Sequence, residues 1–381
     1  MTKPRSYRPV RVARIGLLLA LLTFSAAWSV VVPAQTALQR APAPLPERLG
    51  DAEFWKLVSD ISEPGGYFRL SDNFTSNERE IGRLFTMLRD QGVSGGVYLG
   101  VGPEQNFTYI AAIHPTMVFV VDIRRQAVMQ HLMFKAIFEL ANDRADFISL
   151  LFAKPRPAKI DHATPIQQIW DAYAQVASDS AMATKNYTVI VDHLTKKHRF
   201  TFTAEESAQL QMVFGAFYAF GPAISTRGAP GGRGGGYGVT FADLTGYSMD
   251  DAGQPQSFLS TEDNFAYVKA LQEKNLIVPV SGDFGGPKAI RAIGAYLREH
   301  SGVVSAFYVS NVEQYLFQDA KQREFYDNVA TLPVSEKSVF IRPYALRRGT
   351  VNEALCPITA FIAAVQAGRI YSNNESLACV R

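Results

Sequence analysis

Two apolar runs separated by a glycine turn constrain the fold of this chain most strongly. Residues 97–101 (VYLGV) form the first run, and Gly100 and Gly102 mark its end. Residues 117–121 form the second run, and Asp122 follows it directly. A strand, a glycine turn, a helix, a second strand and a carboxylate about 20 residues after the turn are typical of nucleotide-binding α/β domains. This stretch therefore predicts a parallel sheet whose first turn lies at a ligand site.

The same pattern resumes nearer the C-terminus. Residues 276–280 (LIVPV), 303–310 (VVSAFYVS) and 338–344 (SVFIRPY) are apolar runs with the length of buried strands, and helical patterns separate them. Alternating strands and helices favour an α/β fold. We therefore expect a Rossmann-like parallel sheet with helices on both faces, and a mixed α+β insertion between the second and third core strands.

This insertion divides the predicted core. It spans about residues 141–270 and separates a first core part, residues 51–140, from a second core part with the C-terminal tail, residues 271–381. Residues 187–203 (YTVIVDHLTKKHRFTFT) alternate well enough to predict a β-hairpin. Residues 227–238 (RGAPGGRGGGYG) are rich in glycine and predict a loop.

The N-terminus has the pattern of an export signal. Residues 1–14 carry five basic side chains and no acid, and residues 15–32 are apolar. Small residues at 32–34 suit a signal peptidase, so we expect a signal peptide over 1–34 and a proline-rich linker over 35–50. The mature protein is then periplasmic or secreted and has no stable membrane span. The alternative is an uncleaved N-terminal anchor, with the rest of the chain facing the periplasm.

Charge and composition limit the class of partner. The whole chain has a formal net charge of +3, and removal of the five basic residues in the signal leaves −2. Because nucleic-acid binding depends on a positive surface, no nucleic-acid partner is expected. Hydrophobic residues make up 47% of the chain and charged residues 19%, a composition that supports a sizeable core.

The two cysteines, Cys356 and Cys379, lie near the C-terminus. In an oxidising compartment they would form a disulfide that ties the tail to the preceding helix. The alternative is two unpaired thiols, one of them buried. Export favours the disulfide.

The glycine turn and its acid resemble the class I S-adenosylmethionine-dependent methyltransferases. Gly100 and Gly102 are similar to the first motif of that family, and Glu104 stands where a third glycine is usual. Asp122 is similar to the family's ribose-binding acid. The resemblance implies that these four residues bind S-adenosylmethionine.

The later strands extend this resemblance, which covers about residues 75–140 and 270–345. Asp283, which follows the third strand, is similar to the acid on the adenine side of the family's site. Asn311, after the fourth strand, lies where the family often keeps catalytic or substrate-orienting residues. The N-P-P-Y pattern of amino-methylating members is absent from the sequence, so the methyl acceptor is open.

A polar segment precedes the core. Residues 62–78 (SEPGGYFRLSDNFTSNE) are similar to a segment of exported bacterial proteins that share this core. In a methyltransferase-like arrangement such a segment folds over the mouth of the ligand site. Glu63 and Asn73 are therefore catalytic candidates beside Asn311. The alternative is a solvated loop whose polar groups cap helices.

Two functions follow. The first is methyl transfer from S-adenosylmethionine to an unknown acceptor. The second is a non-catalytic exported module that kept the fold and binds another ligand or a protein. Export favours the second, because S-adenosylmethionine is made in the cytoplasm.

No metal site is expected. The chain has six histidines, and they are scattered. His193 and His198 fall on the predicted hairpin rather than on a helix with metal-ligand spacing.

Overall fold

A six-stranded sheet forms the centre of the part of the chain that is described. The structure is a computed structural model, and it describes residues 43–68, 73–78, 81–225, 239–345 and 351–376. The strands are β1 (Val97–Gly100), β2 (Met117–Asp122), β3 (Ile277–Ser281), β4 (Val304–Tyr308), β5 (Val334–Ala345) and β6 (Val351–Pro357).

The strand order is β3-β2-β1-β4-β5-β6. Neighbours from β3 to β5 pair in parallel, and β6 pairs antiparallel with β5 at the edge. The prediction of an α/β fold with a mainly parallel sheet is therefore confirmed. Every residue of β1, β2 and β3 is buried, so helices cover both faces of this part of the sheet.

Four helices precede the insertion. They are α1 (Asp51–Ile61), α2 (Gly82–Asp90), α3 (Gln105–Ile113) and α4 (Arg125–Leu140). Of these, α1 and α4 contact β3, whereas α2 contacts β6. In α3 and α4 nearly every side chain is buried. These two helices lie inside because helices of the insertion cover their outer sides.

The insertion is helical where the structure describes it, so the prediction of a mixed α+β insertion is wrong there. Its helices are α5 (Arg144–Phe152), α6 (Ile166–Ala174), α7 (Ser180–Asp192), α8 (Ala204–Phe220), α9 (Phe241–Gly246) and α10 (Glu262–Glu273). Helices α8 and α10 lie on α4, and α10 also lies on α3. Extended pairing within it is limited, among these residues, to the isolated bridges Ser225–Thr240 and Met249–Pro255.

The predicted hairpin over residues 187–203 is also wrong. The end of α7 and a π-helical turn, His193–Lys197, occupy this stretch. Ile190 and Leu194 are fully buried, and their four-residue spacing places both on one helical face. The apolar residues of this stretch are therefore spaced for burial on one face of a helix, although the same spacing also fits the alternation of a strand.

The second core part contributes the remaining described helices. They are α11 (Ala289–Glu299), α12 (Val312–Gln318), α13 (Gln322–Val329), α14 (Ile358–Gln366) and α15 (Asn373–Ser376). Helix α11 contacts β2, and α14 packs on β5.

Several predicted segments lie outside the described residues. These are the signal peptide over 1–34, the first part of the linker over 35–50, and the glycine-rich loop over 227–238. The described part of the linker packs against the core, because Leu49 is buried and its N–H donates to the Lys274 carbonyl at 3.0 Å. Each helix that is described is too short or too polar to cross a bilayer.

The Cys356–Cys379 disulfide stays a prediction. Cys356 is buried on β6, and Cys379 lies outside the described residues. The disulfide would close a loop of about 24 residues and stabilise the fold by about 3 kcal/mol through restriction of the unfolded chain. We expect mass spectrometry of the exported protein, purified without reductant, to show the cross-link. Two thiols that react with an alkylating agent would contradict it.

Candidate functional site

A cleft of about 520 Å³ opens at the C-terminal ends of the parallel strands. Its lining includes Gly102 after β1, Asp122 at the end of β2, Asp283 after β3 and Ser310 after β4. Strand β1 lies between β2 and β4, so the strand order reverses here. Ligands of open α/β sheets bind at such a reversal, and the volume suits a small molecule.

Gly102 supplies the open turn at this cleft. Its φ is +76°, in the left-handed region that favours glycine, and among the described residues beyond its two chain neighbours no atom lies within 4 Å of the position that a Cβ would take. A ligand can therefore approach the backbone here. The carbonyl oxygen of Gly102 forms a hydrogen bond with the buried Nε2 of His131, at 2.9 Å. Burial lowers the pKa of His131, so the imidazole is neutral and donates to this carbonyl.

Gly100 is closely packed and is not among the residues that line the cleft, and its predicted role in ligand binding stays a prediction. A Cβ at Gly100 would lie 1.9 Å from Oδ1 of Asn106 and 2.9 Å from the hydroxyl of Tyr98. The Asn106 amide donates to the carbonyls of Val101 and Pro103, at 3.0 and 2.7 Å, and accepts from Tyr98 at 3.0 Å. This side chain fixes the turn from inside. Asn106 was not among the predicted site residues, although a polar residue in the first turn of an otherwise apolar helix indicates a buried hydrogen-bonding role.

Asp122 is held by Arg124. The carboxylate accepts from the backbone N–H of Arg124 at 2.9 Å, from its Nε at 3.0 Å and from its Nη2 at 2.9 Å. Both side chains are 8% exposed. Burial alone would lower the pKa of Arg124, but the Asp122 carboxylate outweighs burial and raises that pKa. The two residues therefore form a buried ion pair at the end of β2.

The segment before the core crosses the end of the sheet. The Glu63 N–H donates to the Ser281 carbonyl at 2.7 Å, and the Gly66 N–H donates to the Ile123 carbonyl at 2.7 Å. Phe68 packs edge-on against Tyr315, with ring centroids 5.0 Å apart. This segment therefore forms one wall of the cleft.

The Glu63 carboxylate caps a helix. Its Oε1 accepts from the backbone N–H groups of Lys288 and Ala289, at 2.9 and 2.8 Å, at the start of α11. Its Oε2 lies 3.3 Å from the Asp283 N–H. Such an arrangement satisfies helix donors that lack an internal partner. Glu63 lines the cleft, but its oxygens are engaged in this cap, which is the alternative role that the sequence left open.

Asp283 is engaged in a similar way. Its Oδ1 accepts from the Gly285 N–H at 2.9 Å, and its Oδ2 accepts from Lys321 at 2.7 Å. The hydrogen bond to Asp283 raises the pKa of Lys321. This ion pair lies on the cleft wall and is half open to solvent on the lysine side.

The cleft lining includes amide side chains that make no hydrogen bond to the described part of the chain. Asn73 and Asn311 line the cleft, and within the described chain neither side chain makes a hydrogen bond to protein. Asn311 occupies the residue before α12 without capping it. Each amide offers a carbonyl acceptor and an NH₂ donor to a ligand.

A strained residue follows β4 beside them. Ser310 has φ +45°, which is uncommon for a residue with a side chain. Its Oγ donates to Glu78 at 2.9 Å, and the Tyr308 hydroxyl donates to the same oxygen at 2.7 Å. Such backbone strain is concentrated at functional sites. The sequence analysis did not single out Tyr308 or Ser310.

A family model described as a domain of unknown function (DUF7790) matches residues 73–216 and 242–361. These two ranges span well over half of the chain. The chain belongs to this family. A search of curated proteins found no match. The DUF7790 match includes Gly102, Asp122, Asp283 and Asn311, whereas Glu63 precedes it.

Glu104 lies behind the cleft of this DUF7790 protein. Its side chain is buried and is not part of the cleft surface, and its predicted role in ligand binding stays a prediction. Oε1 accepts from the Ser76 N–H at 3.0 Å, and Oε2 has no partner among the residues that the structure describes. Burial raises the pKa of Glu104 to about 8, so the carboxyl is mostly protonated at neutral pH. It therefore adds no charge to the cleft.

Proposed function

We propose that the cleft binds an adenosine-containing ligand, with S-adenosylmethionine as the first candidate, and that the protein transfers its methyl group to an acceptor. The observation that carries this is the convergence of Gly102, Asp122, Asp283 and Asn311 on one cleft. The resemblance assigned all four to ligand binding or catalysis. The strand order with its reversal beside β1 supports a Rossmann-like, methyltransferase-like core.

The residues of the cleft fit such a ligand. Gly102 leaves open space at the turn, where a ligand can pass close to the backbone. Phe68 and Tyr315 offer aromatic surface for a flat base. A carboxylate has about four acceptor sites, and the three hydrogen bonds from Arg124 leave Asp122 room for one ribose hydroxyl.

The chain's own residues supply positioning. When bound, S-adenosylmethionine would supply a sulfonium-bound methyl group, and the electrons of the broken bond would stay on sulfur. Glu63, Asp122 and Asp283 are already engaged by protein donors. The amides of Asn73, Asn77 and Asn311 line the cleft and can orient an acceptor. Orientation of two reactants contributes a large share of the rate in such a reaction.

A pair of glycine variants tests the site. Gly102 and Gly253 both have positive φ, +76° and +73°, and both have open space where a Cβ would lie. Each valine substitution is expected to cost about 1–2 kcal/mol of stability through backbone strain. We expect Gly102→Val to weaken binding of S-adenosylhomocysteine at least tenfold, because the new side chain fills the turn. Gly253→Val, outside the cleft, is expected to bind like the wild type.

Equal binding by both variants would place the ligand away from the turn. A folded Gly253→Val protein that also loses binding would show that strain, rather than the added side chain, is responsible. Thermal unfolding of both proteins checks that they are folded at the temperature of the titration.

A non-catalytic binding module is the second candidate. The engagement of Glu63, Asp122 and Asp283 by protein groups favours it, because it leaves no free carboxylate among these three for proton transfer. Incubation with S-adenosylmethionine carrying a labelled methyl group, in an extract of the producing cell envelope, separates the two. Binding without transfer of label supports the module.

We also propose that the chain is exported, with the basic and apolar N-terminus as its signal. Alkaline phosphatase fused after residue 50 is expected to be active in cells, since the enzyme folds only in an oxidising compartment. An inactive fusion with the protein in the cytosol would contradict export. It would also remove the objection that S-adenosylmethionine is made elsewhere.

A further inference from the structure

A second cluster of polar side chains lies at the opposite end of the sheet from the cleft. Glu139 stands near the end of α4, and His193 and His198 flank the π-helical turn that follows α7. Asp51, at the start of α1, completes the cluster, and Asn275 binds it from the loop before β3. This loop leads into the N-terminal end of a parallel strand, whereas the cleft lies at the C-terminal ends.

Three atoms of this cluster converge. Nε2 of His193 and Nε2 of His198 each lie 2.8 Å from Oε2 of Glu139. One ligand atom from each of the three residues lies within 4.8 Å of the other two. The π-helical turn causes this convergence, because its wider turn brings residues five apart onto one side: the His198 N–H donates to the His193 carbonyl at 3.1 Å. Single π turns occur frequently at functional sites.

Asp51 orients one of the two rings. Nδ1 of His198 lies 2.8 Å from Oδ1 of Asp51, and that oxygen also accepts from the Asn275 amide at 2.9 Å. Because a carboxylate oxygen accepts hydrogen bonds, Nδ1 of His198 is the donor in this contact with Asp51. A ligating histidine in a metal site has this arrangement, with its second nitrogen bound to a carboxylate.

Nε2 of His198 and Oε2 of Glu139 face each other and need a proton or a cation between them. With Nδ1 bound to Asp51, the other ring nitrogen of His198, Nε2, faces the carboxylate oxygen of Glu139 at 2.8 Å. Two acceptors at this distance repel each other unless a proton or a cation lies between them. A second imidazole at the same oxygen, that of His193, adds a further nitrogen ligand.

We propose that Glu139, His193 and His198 bind one divalent transition-metal ion of the zinc class. Two imidazole nitrogens and one carboxylate oxygen are ligands that Zn²⁺ takes in proteins, and a solvent molecule would complete a tetrahedral site. Among the three ligands the His193 side chain is the most exposed, at 10%, compared with 5% for His198 and 2% for Glu139. The expectation of no metal site rested on the predicted hairpin, which the structure does not contain.

Two lysines donate hydrogen bonds to the Glu139 carboxylate, one to each oxygen. Lys197 donates to Oε2 of Glu139 at 2.8 Å, and its side chain is 57% exposed. Metal binding requires this ammonium to turn out into water, which costs little for an exposed lysine. Lys135 is buried and donates to the other oxygen, Oε1, at 2.6 Å, where it can stay.

Titration of the full-length mature protein with Zn²⁺ at pH 7.5, in competition with a chromophoric chelator, tests the site. We expect one equivalent to bind, and we expect His193→Ala and His198→Ala each to weaken binding roughly 100-fold. His162→Ala is the control, because this histidine is 74% exposed and lies outside the cluster. Co²⁺ is expected to give the visible absorption of a tetrahedral ion, independently of any activity.

A pair of lysine variants separates a metal site from a purely ionic cluster. Lys197→Ala removes the competing ammonium and is expected to tighten Zn²⁺ binding several-fold. Lys196→Ala, in the same turn and paired with Asp192, is expected to leave binding unchanged. If folded wild type and Lys197→Ala both fail to bind one equivalent, the cluster is an ion-pair network and the proposal fails. Binding that survives both histidine substitutions would equally overturn it.

Discussion

Asp122→Ala is expected to lower the free energy of unfolding by about 3–5 kcal/mol, because it leaves the buried guanidinium of Arg124 without its carboxylate. The two side chains are each 8% exposed, so water replaces the lost partner poorly. The sequence alone predicts a ribose-binding role for Asp122 and gives no sign of this ion pair. Urea denaturation of the wild type and the variant measures the difference.

Two further variants control this result. Asp122→Asn keeps the shape and one acceptor, so its loss is expected to be smaller. The double variant Asp122→Ala/Arg124→Ala also removes the guanidinium that Asp122→Ala leaves buried and unpaired, so it is expected to be more stable than Asp122→Ala alone. An Asp122→Ala protein within about 0.5 kcal/mol of the wild type would show that the pair contributes nothing to stability.

Glu104→Gln is expected to remove a strong pH dependence of stability. Burial raises the pKa of Glu104 from its usual 4.5 to about 8 in the folded protein, so the folded state holds the proton more tightly than the unfolded chain. This contribution to stability is fully present below pH 4.5 and is lost as the pH rises through 8. Glutamine keeps an acceptor for the Ser76 N–H and does not ionise. At pH 8 the variant is expected to be more stable than the wild type by on the order of 3–5 kcal/mol.

Unfolding measured between pH 5 and 8 checks this prediction. The difference between variant and wild type isolates Glu104 from the other titrating groups. Glu53→Gln is the control, because Glu53 is exposed on α1 and is expected to leave the profile unchanged. Parallel profiles for wild type and Glu104→Gln would mean that the carboxyl is ionised in the folded state at neutral pH.

The parallel strands could be predicted from the sequence because they are buried on both faces. Such strands read as continuous apolar runs, as in residues 117–121 and 276–280. The edge strand β6 gave no such signal, since VNEALCP mixes polar and apolar residues and pairs only with β5. The prediction of a hairpin over 187–203 was wrong because the spacing of its apolar residues fits both a strand and a helix. The burial of Ile190 and Leu194 on one face stabilises the helix.

The site could be predicted only in part. Gly102, Asp122, Asp283 and Asn311 follow strands directly, and parallel strands bring their C-terminal ends to one edge. Their partners depend on contacts between distant segments, such as the cap that Glu63 gives to a helix more than two hundred residues later. Local sequence carries no signal for such contacts. The cluster of Glu139, His193 and His198 could not be predicted for the same reason, since Glu139 and His198 are 59 residues apart in the sequence.

Calorimetric titration of the mature wild-type protein with S-adenosylhomocysteine, S-adenosylmethionine and adenosine tests the central claim most directly. The account predicts saturable binding with one ligand per chain. It also predicts that Asp122→Asn weakens binding roughly 10- to 100-fold, because one charge-assisted hydrogen bond is worth about 1.5–3 kcal/mol. The absence of heat from every adenosine-containing ligand at millimolar concentration, with the protein folded, would contradict it.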